Sequence, residues 1–82
     1  MNIEIRNLTE GDEDIFTNVA ADVFDYELNE KLIVEFLKDS RHHIVVAIDG
    51  DLVVGFASGV HYIHPDKPTE LWINEVGVTP TH

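Results

Sequence analysis

The sequence predicts an α+β domain with the element order β-α-α-β-β-β, in which the last three strands form an antiparallel meander. In the first half, apolar residues recur at helical spacing in two separate stretches. In the second half, apolar runs of strand length are separated by glycine, proline and aspartate. The chain has 82 residues, which is enough for one small domain.

A short strand and a first helix are predicted at the start of the chain. Residues 1–7 alternate isoleucine with charged side chains, as a strand with one buried face does. Thr9 is a suitable cap and Asp12 follows three residues later, so the first helix is expected to begin there and to end near Phe24. One apolar stripe follows this helix and consists of Ile15, Phe16, Val19, Ala20, Val23 and Phe24.

A second helix and a hairpin of two strands are predicted next. The helix spans roughly residues 29–39, because Leu32, Ile33, Phe36 and Leu37 recur at helical spacing. Residues 43–48 are apolar on both faces, which is typical of a central strand. The Asp-Gly-Asp sequence at 49–51 favours a tight turn, so residues 52–62 are expected to return as the partner strand.

The final strand, residues 70–78, carries the residues of greatest chemical interest. Strict alternation places Leu71, Ile73, Glu75 and Gly77 on one face and Trp72, Asn74, Val76 and Val78 on the other. A carboxylate on a face that otherwise buries is costly unless it is paired or used in chemistry. A glycine two residues later leaves room for a close approach to the backbone. This pattern suits a strand that binds a ligand through its main chain, and the alternative is an edge strand with a solvated Glu75.

The sequence from Glu75 to Pro80, Glu-Val-Gly-Val-Thr-Pro, resembles the fourth strand of the GNAT superfamily of N-acetyltransferases. Residues 70–78 are most similar to the strand of aminoglycoside 3-N-acetyltransferases, which carry an acid where Glu75 stands. The family's pyrophosphate-binding loop follows this strand and would begin just after His82. The resemblance therefore implies that residues 1–82 are a truncated N-terminal part of a single GNAT domain.

The resemblance also implies a reaction and its site residues. Acetyl would pass from acetyl-CoA, the co-substrate, to a primary amine, with aminoglycosides or other small polyamines as acceptors. Glu75 would be the catalytic base, and the backbone of Val76, Gly77 and Val78 would bind acetyl-CoA. In the family, the segment between the first two helices helps to form the acceptor site, so the acceptor amine would contact Asp25, Tyr26 and Glu27. It would also contact Trp72 of the final strand. The alternative for the segment that contains residues 25–27 is a solvated loop between two amphipathic helices.

Composition restricts the partners. Sixteen acidic residues against five Lys and Arg give a net charge of −11, which argues against nucleic acid and anionic membranes. The absence of cysteine, of a signal peptide and of a long apolar run favours a cytoplasmic protein. His61, His64 and Asp66 lack the spacing of a known metal motif, so no metal is expected.

A second interpretation assigns the chain no catalysis of its own. With the pyrophosphate loop missing, the 82-residue chain would be inactive and would bind acetyl-CoA poorly, and activity would belong to the full-length parent. The last strand would then keep unpaired backbone groups at its edge, which favours pairing with another chain. In this interpretation the protein is a homodimer or a larger assembly that forms through exposed strands.

Overall fold

The computed structural model describes residues 2–82, and it confirms the α+β class and the order of the four strands. The regular elements are β1 (Ile3–Leu8), a single 3₁₀ helix (Glu13–Thr17), α1 (Glu30–Lys38), β2 (His42–Asp49), β3 (Leu52–Tyr62) and β4 (Glu70–Val78). No helix in this part of the chain is long and apolar enough to cross a membrane.

The four strands form one antiparallel sheet in the order β1-β2-β3-β4, so neighbours in sequence are neighbours in space. The hairpin between β2 and β3 turns at Gly50, whose φ of 69° is favourable for glycine. The predicted antiparallel meander is thus confirmed, and β1 adds a fourth strand to it through pairing with β2.

The predicted first helix is wrong in extent, because only five of its residues are helical and they form a 3₁₀ helix. Residues 18–20 pair with β3 instead: Val53 N–H donates to Asn18 O (2.9 Å) and Ala20 N–H donates to Val53 O (2.8 Å). An extended segment that forms these bonds cannot also be helical. The apolar stripe nevertheless reaches the core, since Val23 is buried and its other members pack against the buried cluster.

The second helix is confirmed and is bounded by side-chain hydrogen bonds at both ends. Asn29 caps its start by accepting a hydrogen bond from Leu32 N–H (3.1 Å). After its end, Asp39 accepts hydrogen bonds from the side chain of Arg41, and these bonds hold the pKa of Asp39 well below its usual value. The helix places Leu37 in the core and packs Ile33 and Phe36 against it.

The core lies on one face of the sheet, which we call the inner face and which carries Ile44, Val46, Phe56 and Ser58. The helix and the segment before it cover this face. The opposite, outer face carries Val45, Ala57 and Gly59 on the central strands. The buried apolar cluster consists of Leu8, Val23, Leu37, Ile44, Val46, Ile48, Val53 and Phe56.

A β-bulge in β4 overturns the predicted alternation of its side chains. Gly59 lies opposite Ile73 and Ser58 lies opposite Glu75, so Asn74 is an extra residue in β4. An extra residue reverses the faces of all the side chains that follow it. Leu71 and Ile73 therefore lie on the outer face, whereas Glu75 and Gly77 lie on the inner face, and the prediction that all four share one face is wrong.

Candidate active site

A cleft of about 340 Å³ opens on the inner face, between the sheet, α1 and the segment that precedes α1. Its walls are mostly apolar and its charged side chains are all carboxylates. The lining residues are Phe16, Phe24, Asp25, Tyr26, Glu27, Leu28, Asn29, Leu32, Ile33, Phe36, Ile44, Phe56, Ser58, Asn74 and Glu75.

Glu75 reaches this cleft because of the bulge at Asn74. The extra residue turns the Glu75 side chain to the face of Ser58, where the cleft lies. Glu75 is exposed, and no Lys, Arg or His within residues 2–82 forms a salt bridge with it. The expectation that this carboxylate is buried is therefore wrong: Glu75 lies on the inner face but is exposed, so its charge carries no burial cost to explain. It is a solvent-accessible carboxylate at a ligand-sized cleft.

Three of the four residues predicted to bind the acceptor line the same cleft. Asp25, Tyr26 and Glu27 come from the segment before α1, and they share the cleft with Glu75. Trp72 does not line it: it pairs with Val60, further along the sheet on the same face as Ser58, and it is largely exposed. The sequence thus predicted most of the polar residues of the cleft.

The aromatic walls of the cleft come from the predicted apolar stripes and from β3. Phe24 stacks on Phe56 with ring centroids 4.2 Å apart, and Phe16 lies 6.2 Å from Phe24. Phe56 is buried, whereas Phe16 and Phe24 are half-buried, and all three line the cleft. Helical spacing identifies apolar residues but does not distinguish a ring that packs on all sides from one that lines a cavity.

The segment before α1 is fixed to the end of β4. Thr79 Oγ1 donates to Ala21 O (2.7 Å), and Thr79 N–H donates to Val54 O (2.9 Å), with Thr79 itself buried. These bonds join β3, β4 and the segment at one point. The side chains that line the cleft from β4 and from the segment are therefore positioned relative to each other.

Gly77 is the second contact between β4 and this segment. A methyl group at Gly77 would collide with the Val23 carbonyl oxygen and would lie 2.7 Å from Cε1 of Phe56. Other groups do approach Gly77 closely, as predicted, but on the inner face these groups are Val23 and Phe56 of the protein itself and not a ligand. A role for the Gly77 backbone in binding acetyl-CoA stays a prediction.

Val76 and Val78 lie on the outer face, opposite Ala57 and Gly55, and both are exposed. Within residues 2–82, β4 pairs with β3 alone. In an antiparallel strand, the N–H and C=O groups of alternate residues point to opposite edges, so part of the β4 backbone points away from the sheet. This free edge is suited to binding an extended ligand through main-chain hydrogen bonds, and a role for Val76 and Val78 in binding acetyl-CoA stays a prediction.

The histidines considered for a metal site do not converge. His61 pairs with His43 across β2 and β3, with Nδ1 and Nε2 2.8 Å apart. Among the described residues, no three side chains of His, Cys, Asp or Glu form a group that could hold a metal ion.

Comparison with known proteins gives a consistent fold. No protein-family model matches the sequence, and no curated protein matches it. An aminoglycoside acetyltransferase from an uncultured soil metagenomic sample, in complex with sisomicin, superposes with a TM-score of 0.76 at 13% identity, over 96% of this chain and 57% of that chain. A ribosomal-protein-alanine N-acetyltransferase from Brucella melitensis biovar Abortus 2308 has a TM-score of 0.72 at 16% identity, over 100% of this chain and 61% of the other.

A third structure, an N-acetyltransferase from Staphylococcus aureus Mu50, has a TM-score of 0.60 at 14% identity, over 100% of this chain and 55% of that chain. The chain thus spans little more than half of the solved structures that it matches. Identities this low show the fold alone. Over its described length, the chain has the fold of the GNAT acetyltransferases, as the sequence resemblance predicted.

Proposed function

We propose that the protein is an N-acetyltransferase that transfers the acetyl group of acetyl-CoA to a primary amine bound in the inner-face cleft. One observation carries the proposal: an accessible carboxylate, Glu75, shares an apolar cleft with the carboxylates of Asp25 and Glu27, on a fold shared with acetyltransferases. Carboxylates attract the ammonium form of an amine, and one of them can remove its proton.

Glu75 is assigned the role of general base. A primary amine is mostly protonated near neutral pH, so its proton must leave before nitrogen can attack. Glu75 takes this proton, directly or through water, and the nitrogen forms a bond to the carbonyl carbon of the thioester. The carbon–sulfur bond then breaks and the thiolate leaves with the electron pair. The nitrogen loses its second proton to solvent, which gives the neutral amide, and a proton from solvent neutralises the thiolate. A positioned base contributes about 10²–10⁴ in rate.

The free edge of β4 is assigned to acetyl-CoA. The backbone amides of Val76 and Val78 would hydrogen-bond the extended arm of the co-substrate, and one of them would polarise the thioester oxygen. The edge fits this role because β4 has no second partner strand within residues 2–82. Because Glu75 belongs to the same strand, the base and the thioester would lie close together.

The charge of the cleft favours small cationic acceptors. Asp25, Glu27 and Glu75 are its charged residues, and no Lys, Arg or His lines it in the part of the chain described. Charge alone admits aminoglycosides and other polyamines as well as simpler amines.

The test of this function is release of free thiol from acetyl-CoA by the full-length protein, in the presence of a panel of primary amines. We expect thiol release that depends on both the amine and the protein, and a mass gain of one acetyl group on the amine. The matched alcohols, which carry no amine, should release no thiol. Absence of acetylated product across the panel would contradict the proposal.

A second candidate function is association of two chains through the edge of β4. Besides its free edge, this strand exposes large apolar side chains. These are Leu71, Trp72, Ile73, Val76 and Val78. Free edges and exposed apolar surface both favour pairing with another chain.

A further inference from the structure

The apolar walls of the cleft restrict the chemical class of the acceptor further than the charge of the cleft does. Phe16, Phe24, Ile33 and Phe36 are partly buried, and all four line the cleft. Their remaining exposed surface is apolar and would be removed from water by a ligand of the same character. Such burial contributes about 25 cal/mol per Å² of apolar surface.

The charged groups of the cleft differ from this apolar wall in their exposure to solvent. Asp25 and Glu27 belong to the segment just before α1, and Glu75 belongs to β4 at the edge of the sheet; all three are exposed. Phe56, in contrast, is buried on the central strand β3. The cleft therefore combines an apolar wall with exposed negative charge.

A polyhydroxylated cation matches this arrangement poorly. Placing hydroxyl and amino groups against aromatic walls removes them from water without giving them hydrogen-bond partners, which is costly. The cleft is also small: about 340 Å³ is at the low end of the roughly 300–1,000 Å³ range of small-molecule sites. A compact ligand with one ammonium group and one apolar body satisfies both the walls and the carboxylates.

We propose that the acceptor is a small amphipathic primary amine, in which an aromatic or alkyl body packs on the phenylalanine wall and the ammonium group faces Glu75. This proposal rests on the proposed function, because it names the substrate class of the same site. It departs from the aminoglycosides and polyamines that charge alone admits.

Leu32 and Val34 provide a matched pair of variants for testing the apolar wall. Both lie on α1 and are exposed, at 63% and 47%, but only Leu32 lines the cleft. Because both side chains are largely in solvent, Leu32→Ser and Val34→Ser should fold normally. Any difference in ligand binding between the two variants then reports on the cleft.

The experiment is calorimetric titration of the full-length protein with 2-phenylethylamine, 2-phenylethanol, butane-1,4-diamine and sisomicin. We expect the Kd of 2-phenylethylamine to be lower than those of the other three by about tenfold or more, because only this probe has both a phenyl body and an ammonium group. Leu32→Ser should raise that Kd about three- to tenfold, and Val34→Ser should change it less than about twofold. Tighter binding of the diamine or of sisomicin, or equal effects of the two variants, would overturn the proposal.

An acetylation assay with the same four probes separates this proposal from the proposed function. If 2-phenylethylamine binds as expected and no acetylated product forms, the acceptor class stands as a binding property and the proposed reaction fails. If sisomicin is acetylated and 2-phenylethylamine neither binds nor reacts, the proposed reaction stands and the acceptor class is wrong.

Discussion

At the scale of single residues, the chemistry of the cleft depends on Asn74. In a regular ladder Asn74 would lie opposite Ser58, and the Glu75 side chain would lie on the outer face with Ile73, away from Asp25 and Glu27. The bulge therefore determines which face receives the carboxylate. Bulges often redirect a side chain next to an active site.

The role of Glu75 is tested by Glu75→Gln in the full-length protein. Glutamine keeps the size and hydrogen-bonding ability of the side chain but cannot accept the proton. We expect kcat to fall about 10²-fold or more near neutral pH, with little change in the Kd of acetyl-CoA. Part of the loss should be recovered at high pH, where more of the amine is already unprotonated.

Glu70→Gln is the matched control for this measurement. Glu70 lies at the start of the same strand, forms a surface salt bridge with Lys67 (3.0 Å) and does not line the cleft. A surface pair of this kind contributes little to stability, so the variant should keep its activity. Full activity of Glu75→Gln at pH 7, or equal losses in the two variants, would show that the base lies elsewhere.

Sequence alone predicted the polar residues of the cleft better than its walls. Asp25, Tyr26 and Glu27 were predicted from the family's acceptor segment, and the structure brings them to the same cleft as Glu75. Trp72 was predicted with them and does not line the cleft: the bulge places it on the same face as Glu75, but it lies opposite Val60, further along the sheet. The bulge does leave a signal in the sequence, since the adjacent polar residues Asn74 and Glu75 shift the apolar positions from Leu71 and Ile73 to Val76 and Val78.

At the scale of elements, the segment between the 3₁₀ helix and α1 is irregular, and only its first residues pair with a strand. Its apolar spacing is helical, but the backbone of residues 18–20 pairs with β3, and Asn18 Nδ2 also donates to Asp51 O (3.2 Å). These long-range bonds override a local helical preference. By contrast, α1 was predictable because its cap and its stripe agree on the same boundaries.

The join between this segment and β4 is tested by Thr79→Val. Valine has a similar shape but leaves Ala21 O without the hydroxyl that donates to it. This hydrogen bond is part-buried, so its loss should lower the free energy of unfolding in urea by about 0.5–1.5 kcal/mol. Acceptor binding should weaken too, because the segment carries Asp25 and Glu27.

Thr81→Val is the control, because Thr81 is exposed and its hydroxyl contacts only the ring of His82 among the described residues (2.9 Å). It should leave the free energy of unfolding within about 0.5 kcal/mol of the original value. If Thr79→Val were no more destabilising than Thr81→Val, the segment would be held in place by its apolar contacts alone.

At the scale of the whole molecule, the sheet has one covered face and one bare face. Within residues 2–82 the helical elements lie on the inner face, while the outer face presents small residues in its centre and exposed apolar residues on both edge strands. The sheet order was predictable, because short connections join neighbouring antiparallel strands. Exposed apolar side chains do not distinguish the two edges as sites of association, since β1 and β4 both carry them.

Association through β4 is tested by comparing the two edges of the sheet. Val76 on β4 and Ile5 on β1 are similarly exposed, at 64% and 68%, so lysine at either position perturbs the fold to a similar extent. Charged side chains on an edge strand oppose pairing with another strand. We therefore expect the chain to sediment as a dimer or larger assembly at micromolar concentration, Val76→Lys to shift it to monomer, and Ile5→Lys to leave it associated. A monomer at every concentration would exclude this association, and equal effects of the two variants would exclude β4 as its site.

If acetyl-CoA binds the same edge, adding it should also dissociate the assembly, which makes the two proposed uses of this strand mutually exclusive.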